Sequence, residues 1–408
     1  MIEDVVKEVR EELTGHILPF WEKLIDEKNG GFYGRMEYDG TLKPGAVKGG
    51  ILTARILWAF SNAYKVLKDE QYLKYAKHAY EFLSGPLWDD QYGGVYWTVN
   101  ADGEEPAEDL KHGYCQAMSL YAISSYYDAS GDEKALMRAM EIYDILENEM
   151  HDEFGYKESF TRDFRWAENE KLSENGVEAA KTMNTNLHVF EAYSELYRVS
   201  GYPQVADKIC ELLELFANKI YNPDKQRLDV FFDDNFNPII DLHSYGHDIE
   251  ASWLIDRGVE ILESSLYESK MAPIVDALVS NVYSKGMDPV HSSVYMEAEN
   301  GNIKKIRNWW TQCEAIVGFL NAYKKDESQV QYAQAVIDIW EFVKTYLIDK
   351  RAGGEWLQEV DVLNNPVDIL PIVGVWKCPY HNTRMCLELI KRCEKSSTSF
   401  ELPKLDFF

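Results

Sequence analysis

Four tyrosines constrain the architecture of this chain more tightly than any other feature. Tyr64, Tyr127, Tyr197 and Tyr323 each close an apolar stretch in which a small residue stands five positions earlier. The stretches are Ala59-Phe-Ser-Asn-Ala-Tyr64, Ala122-Ile-Ser-Ser-Tyr-Tyr127, Ala192-Tyr-Ser-Glu-Leu-Tyr197 and Gly318-Phe-Leu-Asn-Ala-Tyr323. The tyrosines are 63, 70 and 126 residues apart, the last being two steps of 63. Each is followed by a short turn and a second amphipathic segment, at 70–83, 133–147, 204–218 and 327–344, and Ser130-Gly-Asp132 is a helix stop followed by a cap. Self-similarity at this period marks a fold built from repeated supersecondary units.

Extending the pattern predicts twelve helices in six pairs: 2–25 with 47–67, 70–84 with 111–130, 133–150 with 181–199, 203–220 with 247–264, 267–286 with 309–324, and 328–348 with 379–394. The aromatic-rich members begin near 47, 111, 181, 247, 309 and 379, in steps of 64, 70, 66, 62 and 70. Between the pairs lie connections rich in Gly, Asp, aromatic and β-branched residues, such as Asn29-Gly-Gly-Phe-Tyr-Gly34, Asp90–Thr98 and Leu228–Asp233, which read as short β-hairpins. A helical hairpin cannot bury its apolar face alone, so six of them must close on one another. The expected fold is therefore all-α: an (α/α)6 barrel of twelve helices in six hairpins, with short β-hairpins in the loops at one mouth. No Pro/Gly/Ser linker or low-complexity run divides it, so residues 1–408 read as a single α/α-barrel catalytic domain.

Composition narrows the function classes. Forty-two basic against sixty-nine acidic side chains leave a formal charge of −27. That argues against nucleic acid and anionic membrane surfaces as partners and suits a small neutral or cationic ligand. The N-terminal segment Met1–Leu13 is a charged helix without the apolar core of a signal peptide. No apolar run approaches the roughly 18 residues of a membrane span. The six cysteines are scattered singly and read as reduced thiols. A cytoplasmic protein, monomeric or weakly homo-oligomeric, is expected.

The chemistry gathers around His243-Ser-Tyr-Gly-His-Asp-Ile-Glu250. Gly246 reads as a break before an amphipathic helix, so His247 and Glu250 fall in its first turn, three residues apart and on one face. The positive end of the helix dipole disfavours the imidazolium there, leaving the neutral form a base needs. A second such site is Trp376-Lys-Cys-Pro-Tyr-His-Asn382, where Pro379 suits a first helical position and His381 lies just inside. The other inner helices add Arg55 among Leu52, Ile56 and Leu57; His112 and Tyr114; Asn184 and His188, four apart on one face; and Trp309, Trp310 and Glu314. The bland alternatives are a structural ion pair for Arg55, a loop histidine for His112, a core tyrosine for Tyr114, a satisfied core histidine for His188 and core tryptophans for Trp309 and Trp310. His16, His78, His151 and His291 fall on outer helices or loops and are set aside, as is His243.

Histidines and glutamates converging on one barrel mouth admit a metal site, with His247, Glu250, His188 and His381 as ligands. They equally admit metal-free acid–base work, in which two neutral histidines move a proton on and off a carbon next to a carbonyl. No Gly-rich phosphate loop or nucleophile elbow is present. A glycoside hydrolase would need two carboxylates flanking the scissile bond, and here histidines dominate. A non-catalytic sugar- or metal-binding protein is the remaining class.

The chain resembles the N-acylglucosamine 2-epimerase superfamily. The matching pieces are Ile17-Leu-Pro-Phe-Trp21, Asn29–Gly34, Ala54-Arg-Ile-Leu-Trp58, Lys181–His188, Ser244-Tyr-Gly-His-Asp-Ile-Glu-Ala251, Trp309-Trp310 and Trp376–Asn382. Ser-Tyr-Gly-His-Asp-Ile-Glu is the most discriminating of them and is similar to the branch that acts on disaccharides; Gly113 and Cys115 around Tyr114 are less typical. The resemblance implies reversible inversion at C2 of the reducing-end glucose of β-1,4-linked disaccharides, without cofactor or metal. Cellobiose would become glucosyl-mannose and lactose epilactose. It implies that His247 and His381 exchange the C2 proton through an enediol and that His188 assists ring opening. Arg55, Tyr114, Asn184 and Glu250 would hold sugar oxygens, with Trp310 and Trp376 stacked on the rings. A monosaccharide 2-epimerase or an aldose–ketose isomerase using the same histidines is the alternative.

Overall fold

A computed structural model describes residues 2–168, 171 and 176–394; the remaining positions of the expected 1–408 domain lie outside the described residues. Twelve helices alternate between two rings. The outer ring is α1 (Ile2–Glu12), α3 (Glu70–Leu83), α5 (Glu133–Ile145), α7 (Pro203–Leu215), α9 (Ser265–Asn281) and α11 (Val330–Phe342). The inner ring is α2 (Gly50–Leu67), α4 (Gly113–Ser130), α6 (Met183–Ser200), α8 (Tyr245–Leu262), α10 (Trp309–Lys325) and α12 (Tyr380–Cys393). Inner helices contact one another in order, and α12 closes the ring against α2. This is the (α/α)6 barrel, and its core follows from sequence. Inner helices are buried on every side, α4 without interruption from Gly113 to Tyr126, whereas outer helices bury a single stripe such as Tyr72, Ala76, Ala79 and Leu83 of α3.

The intimate hairpins are inner helix then outer helix, joined by the short turns: α2 with α3, α4 with α5, and so on round the ring. The N-terminal α1 packs on the C-terminal α12, so chain ends complete the sixth hairpin. The pairing of 2–25 with 47–67 and its successors thus joins helices across the long connections; the tight partner is one step further along. The repeated tyrosine marks the tight turn, since the C-cap amides of Lys68, Gly131 and Gly201 donate to the carbonyls of Tyr64, Tyr127 and Tyr197. A five-residue π-helical turn extends α5, α7, α9 and α11 and interrupts the helix that α1 begins. Each such turn starts and ends on a buried residue, as Leu146 and Met150 do, so the wider turn rephases the apolar stripe.

The mouth is laced by strands of two or three residues. The strand just before each of the first five inner helices pairs antiparallel with one from the loop after the next outer helix. Lys48–Gly49 pairs with Thr98–Val99, Lys111–His112 with Ser159–Phe160, Lys181–Thr182 with Phe231–Phe232, Leu242–Ser244 with Glu297–Glu299, and Arg307–Asn308 with Glu359–Val360. Strands this short are not stable alone. A buried clip sits two or three residues before each inner helix. Lys48 Nζ is 2.7 Å from Asp26, Lys111 Nζ 3.1 Å from Asp89, Lys181 Nζ 2.6 Å from Asp152, His243 Nε2 2.7 Å from Asp248 and Arg307 Nη2 2.8 Å from Asp288, while Lys377 meets Glu355. His243, set aside on sequence, is the clip of the fourth unit. No helix among the described residues is long and apolar enough to cross a membrane.

Candidate active site

The laced end opens into a cup with a cavity volume of about 180 Å³. Its wall comes from the first two turns of the inner helices and from residues just before them. Arg55, Tyr114, Asn184, His188, His247, Glu250, Trp309, Trp310, Trp376 and His381 all line it. Of the residues singled out on sequence, Glu314 and His112 are not in the wall; Glu314 lies directly beneath, against His381. His112 stays structural: it caps α4 by accepting from the Tyr114 amide and lies 3.8 Å from the buried Glu158.

The helix carrying His247 begins earlier than expected. Tyr245 opens α8 and Ser244 is its N-cap, so Gly246 sits inside the first turn and does not break it. A glycine is required there for contact: a Cβ would come within 2.5 Å of the Trp310 ring and 2.8 Å of Thr311 Oγ1. Trp310 is thereby seated against the His247 helix, and its indole packs near two imidazoles, 4.8 Å from His247 and 5.7 Å from His381 between ring centroids.

Each histidine has one nitrogen held by the protein. His381 Nδ1 is 2.7 Å from Glu314 Oε1, so Nδ1 carries the hydrogen and Nε2 keeps its lone pair. His188 Nδ1 donates to the Asn184 carbonyl at 2.9 Å, leaving Nε2 beside the Tyr114 hydroxyl at 3.5 Å and Glu250 at 3.8 Å. His247 Nδ1 is 2.7 Å from Ser244 Oγ, which also caps the His247 amide at 3.5 Å. That hydroxyl accepts from the amide and holds the ring at Nδ1, so Nε2 is the nitrogen left to the cup. Burial is the largest cause holding these rings neutral: it lowers His188 and His247 to about 4 and His381 well below the ordinary imidazole value. On sequence, the helix dipole alone was the reason for neutrality; burial is the larger effect.

Arg55 spans the wall, donating to the Tyr114 hydroxyl at 2.6 Å and the Trp376 carbonyl at 3.2 Å, and its Nε has no partner. Beneath the cup lies a hub that was not read from sequence. Arg384 donates to Glu191 at 2.6 Å, contacts Glu314 at 2.7 Å and also pairs with Glu250. Tyr380 donates to Glu191, and Trp253 Nε1 donates to Glu314 at 3.1 Å. A signal existed: His188, His247 and His381 are each followed three residues later by Glu191, Glu250 or Arg384, which places an ionic layer one turn below the imidazoles. Glu250, Glu314 and His381 each bring one ligand atom to within 4.8 Å of the others, as a metal site would. Arg384 fills that role: its Nη2 already bridges the two carboxylates.

Comparison with known proteins places this geometry among related chains. The family model described as N-acylglucosamine 2-epimerase (GlcNAc 2-epimerase) matches residues 31–383. A cellobiose 2-epimerase from Ruminococcus albus is 46% identical over 388 residues, covering 95% of this chain and 99% of that protein. The solved cellobiose 2-epimerase from Bacillus thermoamylovorans is 46% identical, superposes with a TM-score of 0.91, and the match covers 96% of this chain and 100% of that one. A D-mannose isomerase from Pseudomonas cannabina is more distant, 26% identical over 88% of this chain and 87% of that protein.

Proposed function

Because the chain belongs to the N-acylglucosamine 2-epimerase family, we propose that it inverts C2 of the reducing-end glucose of β-1,4-linked disaccharides by proton transfer between His247 and His381. It is an isomerase of the carbohydrate epimerase type. The substrates would be cellobiose, giving glucosyl-mannose, and lactose, giving epilactose. The similarity to cellobiose 2-epimerases over nearly the whole chain supports a disaccharide.

The observation that carries the mechanism is the pair of neutral imidazoles in the cup wall, both near Trp310 and each held at Nδ1 with Nε2 left to the substrate. Either ring can take a proton from C2 at Nε2, and its protonated form can return one. His188 opens the hemiacetal ring to the aldehyde. His381 takes the proton from C2 and becomes the imidazolium, the C–H electron pair becomes the C1–C2 double bond, and the carbonyl pair moves to O1 to give an enediolate, the O1-ionised form of the enediol. His247, protonated by exchange with solvent, delivers a proton to the opposite face of C2 as the carbonyl reforms, and His381 returns its proton to solvent. The reverse reaction exchanges the two roles. Arg55 and Tyr114 hold O1 where negative charge develops, and Glu314 stabilises the imidazolium at His381. Asn184 and Glu250 take sugar hydroxyls, while Trp310 and Trp376 offer flat faces to the C–H surfaces of the rings.

Incubation with cellobiose in heavy water tests this. Deuterium at C2 of the reducing sugar together with a glucosyl-mannose product is expected; absence of both would overturn it. The distant D-mannose isomerase motivates the alternative, a monosaccharide epimerase or aldose–ketose isomerase on the same histidines. Rates on mannose, N-acetylmannosamine and cellobiose, compared side by side, separate the two.

A further inference from the structure

The sixth unit departs from the repeat at the helix that carries His381. In four units an aspartate after the outer helix donates its amide across a turn: Asp26 to the Gly31 carbonyl, Asp89 to Gly94, Asp288 to Ser293 and Asp349 to Glu355. A buried acid thus stands where the other three have glycine or serine. In those three the aspartate side chain takes the clip cation, Lys48, Lys111 or Arg307. In the sixth unit Asp349 is occupied by Arg351 at 2.6 Å, and the clip cation Lys377 goes to Glu355 instead. A second departure lies five residues after the clip residue. There Gln116 and Gln312 bracket the amide and carbonyl of Val95 and Val294 at 2.7–2.8 Å, and Asn186 and Asp248 accept from the amides of Tyr156 and Leu228 at 3.1 Å. Asn382, at the same step from Lys377, donates to Glu355 Oε1 at 2.6 Å. The helices α4, α6, α8 and α10 also have side-chain N-caps, whereas α12 follows Pro379 without one.

We propose that Glu355 is a positioning residue for the reaction: by gripping Lys377 and Asn382 it fixes the uncapped first turn of α12, so that His381 presents Nε2 to C2. This rests on the two-histidine reading of the site. The two gripped residues flank the histidine, Lys377 four positions before it and Asn382 next in sequence. Glu355, Lys377 and Asn382 are all buried, and Glu355 is not in the cup wall, so it reaches the substrate only through others. The Lys377 ammonium also stands 5.3 Å over the Trp309 ring, which meets His381 edge-on at 6.0 Å. Glu314 fixes the imidazole about its own bonds, and Glu355 fixes the backbone from which it hangs. A carboxylate suits this place because its two oxygens take an ammonium and an amide at once; a glutamine offers one acceptor oxygen and must lose a grip. Misplacing a reacting group by an ångström costs up to about 10²-fold in rate.

Adding Glu355→Gln to His247→Asn and to His381→Asn tests this, with hydrogen exchange at C2 of cellobiose and of glucosyl-mannose read in heavy water. The first background leaves His381 as the base and the second leaves His247. E355Q should slow exchange about tenfold in the first and by less than about twofold in the second. Equal slowing in both, as a general loosening of the fold would give, or no slowing in either, would overturn the proposal. Glu355→Gln with Lys377→Met leaves no buried charge unpaired and should show the same asymmetry if E355Q alone folds poorly. Failure of the two-histidine reading shows earlier, in the two backgrounds with Glu355 intact. A readout without turnover comes from the side-chain nitrogen resonances of the histidines in the otherwise unaltered enzyme. In Glu355→Gln those of His381 should shift while those of His188 and His247 stay; unmoved His381 resonances would overturn the proposal.

Discussion

At the start of α2, Lys48 is buried and its ammonium is held by two acceptors, 2.7 Å from Asp26 and 2.7 Å from the Gly30 carbonyl. At the start of α12, His381 is equally buried, yet only one ring nitrogen has a partner and the other faces the cup. The two side chains occupy neighbouring levels of the same barrel end. In the clip ring, ionic groups are paired, which fixes how each inner helix enters the barrel. In the cup, the reactive groups are uncharged and half-satisfied. Burial therefore serves opposite ends: it tightens an ion pair whose partners are both present, and it keeps an imidazole basic and unprotonated where no anion is offered to its second nitrogen.

Substitutions should separate the two rings. The largest effect is expected from His381→Asn, which should lower kcat by about 10³-fold or more with an unchanged melting temperature. Lys48→Met should do the reverse: it strands Asp26 without its cation and costs roughly 3–5 kcal/mol of stability, read from the denaturant midpoint, while the folded fraction keeps its kcat. Ser244→Ala spans both rings, removing the α8 cap and the hydroxyl that holds the His247 ring at Nδ1. A loss of about 1 kcal/mol and a fall of about tenfold in kcat are expected. If Ser244→Ala lost stability alone, the hydroxyl would not be orienting His247 for the reaction.

The smallest effect is that of pH. Histidines of the unfolded chain take up protons near 6.5, whereas folded His188 and His247 do so only near 4. Between these values the unfolded state binds more protons, so stability falls as pH falls through that window. Within it, kcat per folded molecule should stay flat, and activity should track the circular-dichroism signal. A kcat that titrates near 6.5 while the fold is intact would show that these rings are not held neutral by burial.

The barrel was legible because its repeat is written in apolar spacing and in turn chemistry, both of which are local. Tyr64 and its counterparts report a C-cap, and the helix after each follows from the cap. Hairpin partners were less so: both the preceding and the following outer helix are near in sequence, and only packing chooses. The cup was legible where helix starts carry a histidine, as at His247 and His381. Its floor was not, because Glu191, Arg384 and Tyr380 look like ordinary polar residues until three helices bring them together. His243 was unreadable for a related reason. It resembles a second reactive histidine beside His247, and only alignment with Lys48, Lys111, Lys181, Arg307 and Lys377 reveals its place in the clip ring.

The division of labour between His247 and His381 is tested most directly by hydrogen exchange at C2 in single variants supplied with each epimer separately. His381→Asn in heavy water should exchange the C2 hydrogen of one epimer alone and His247→Asn that of the other, neither forming the opposite product. Exchange from the same epimer in both variants, no exchange from any pairing, or continued epimer formation by either variant would contradict a mechanism with one base on each face of the carbon.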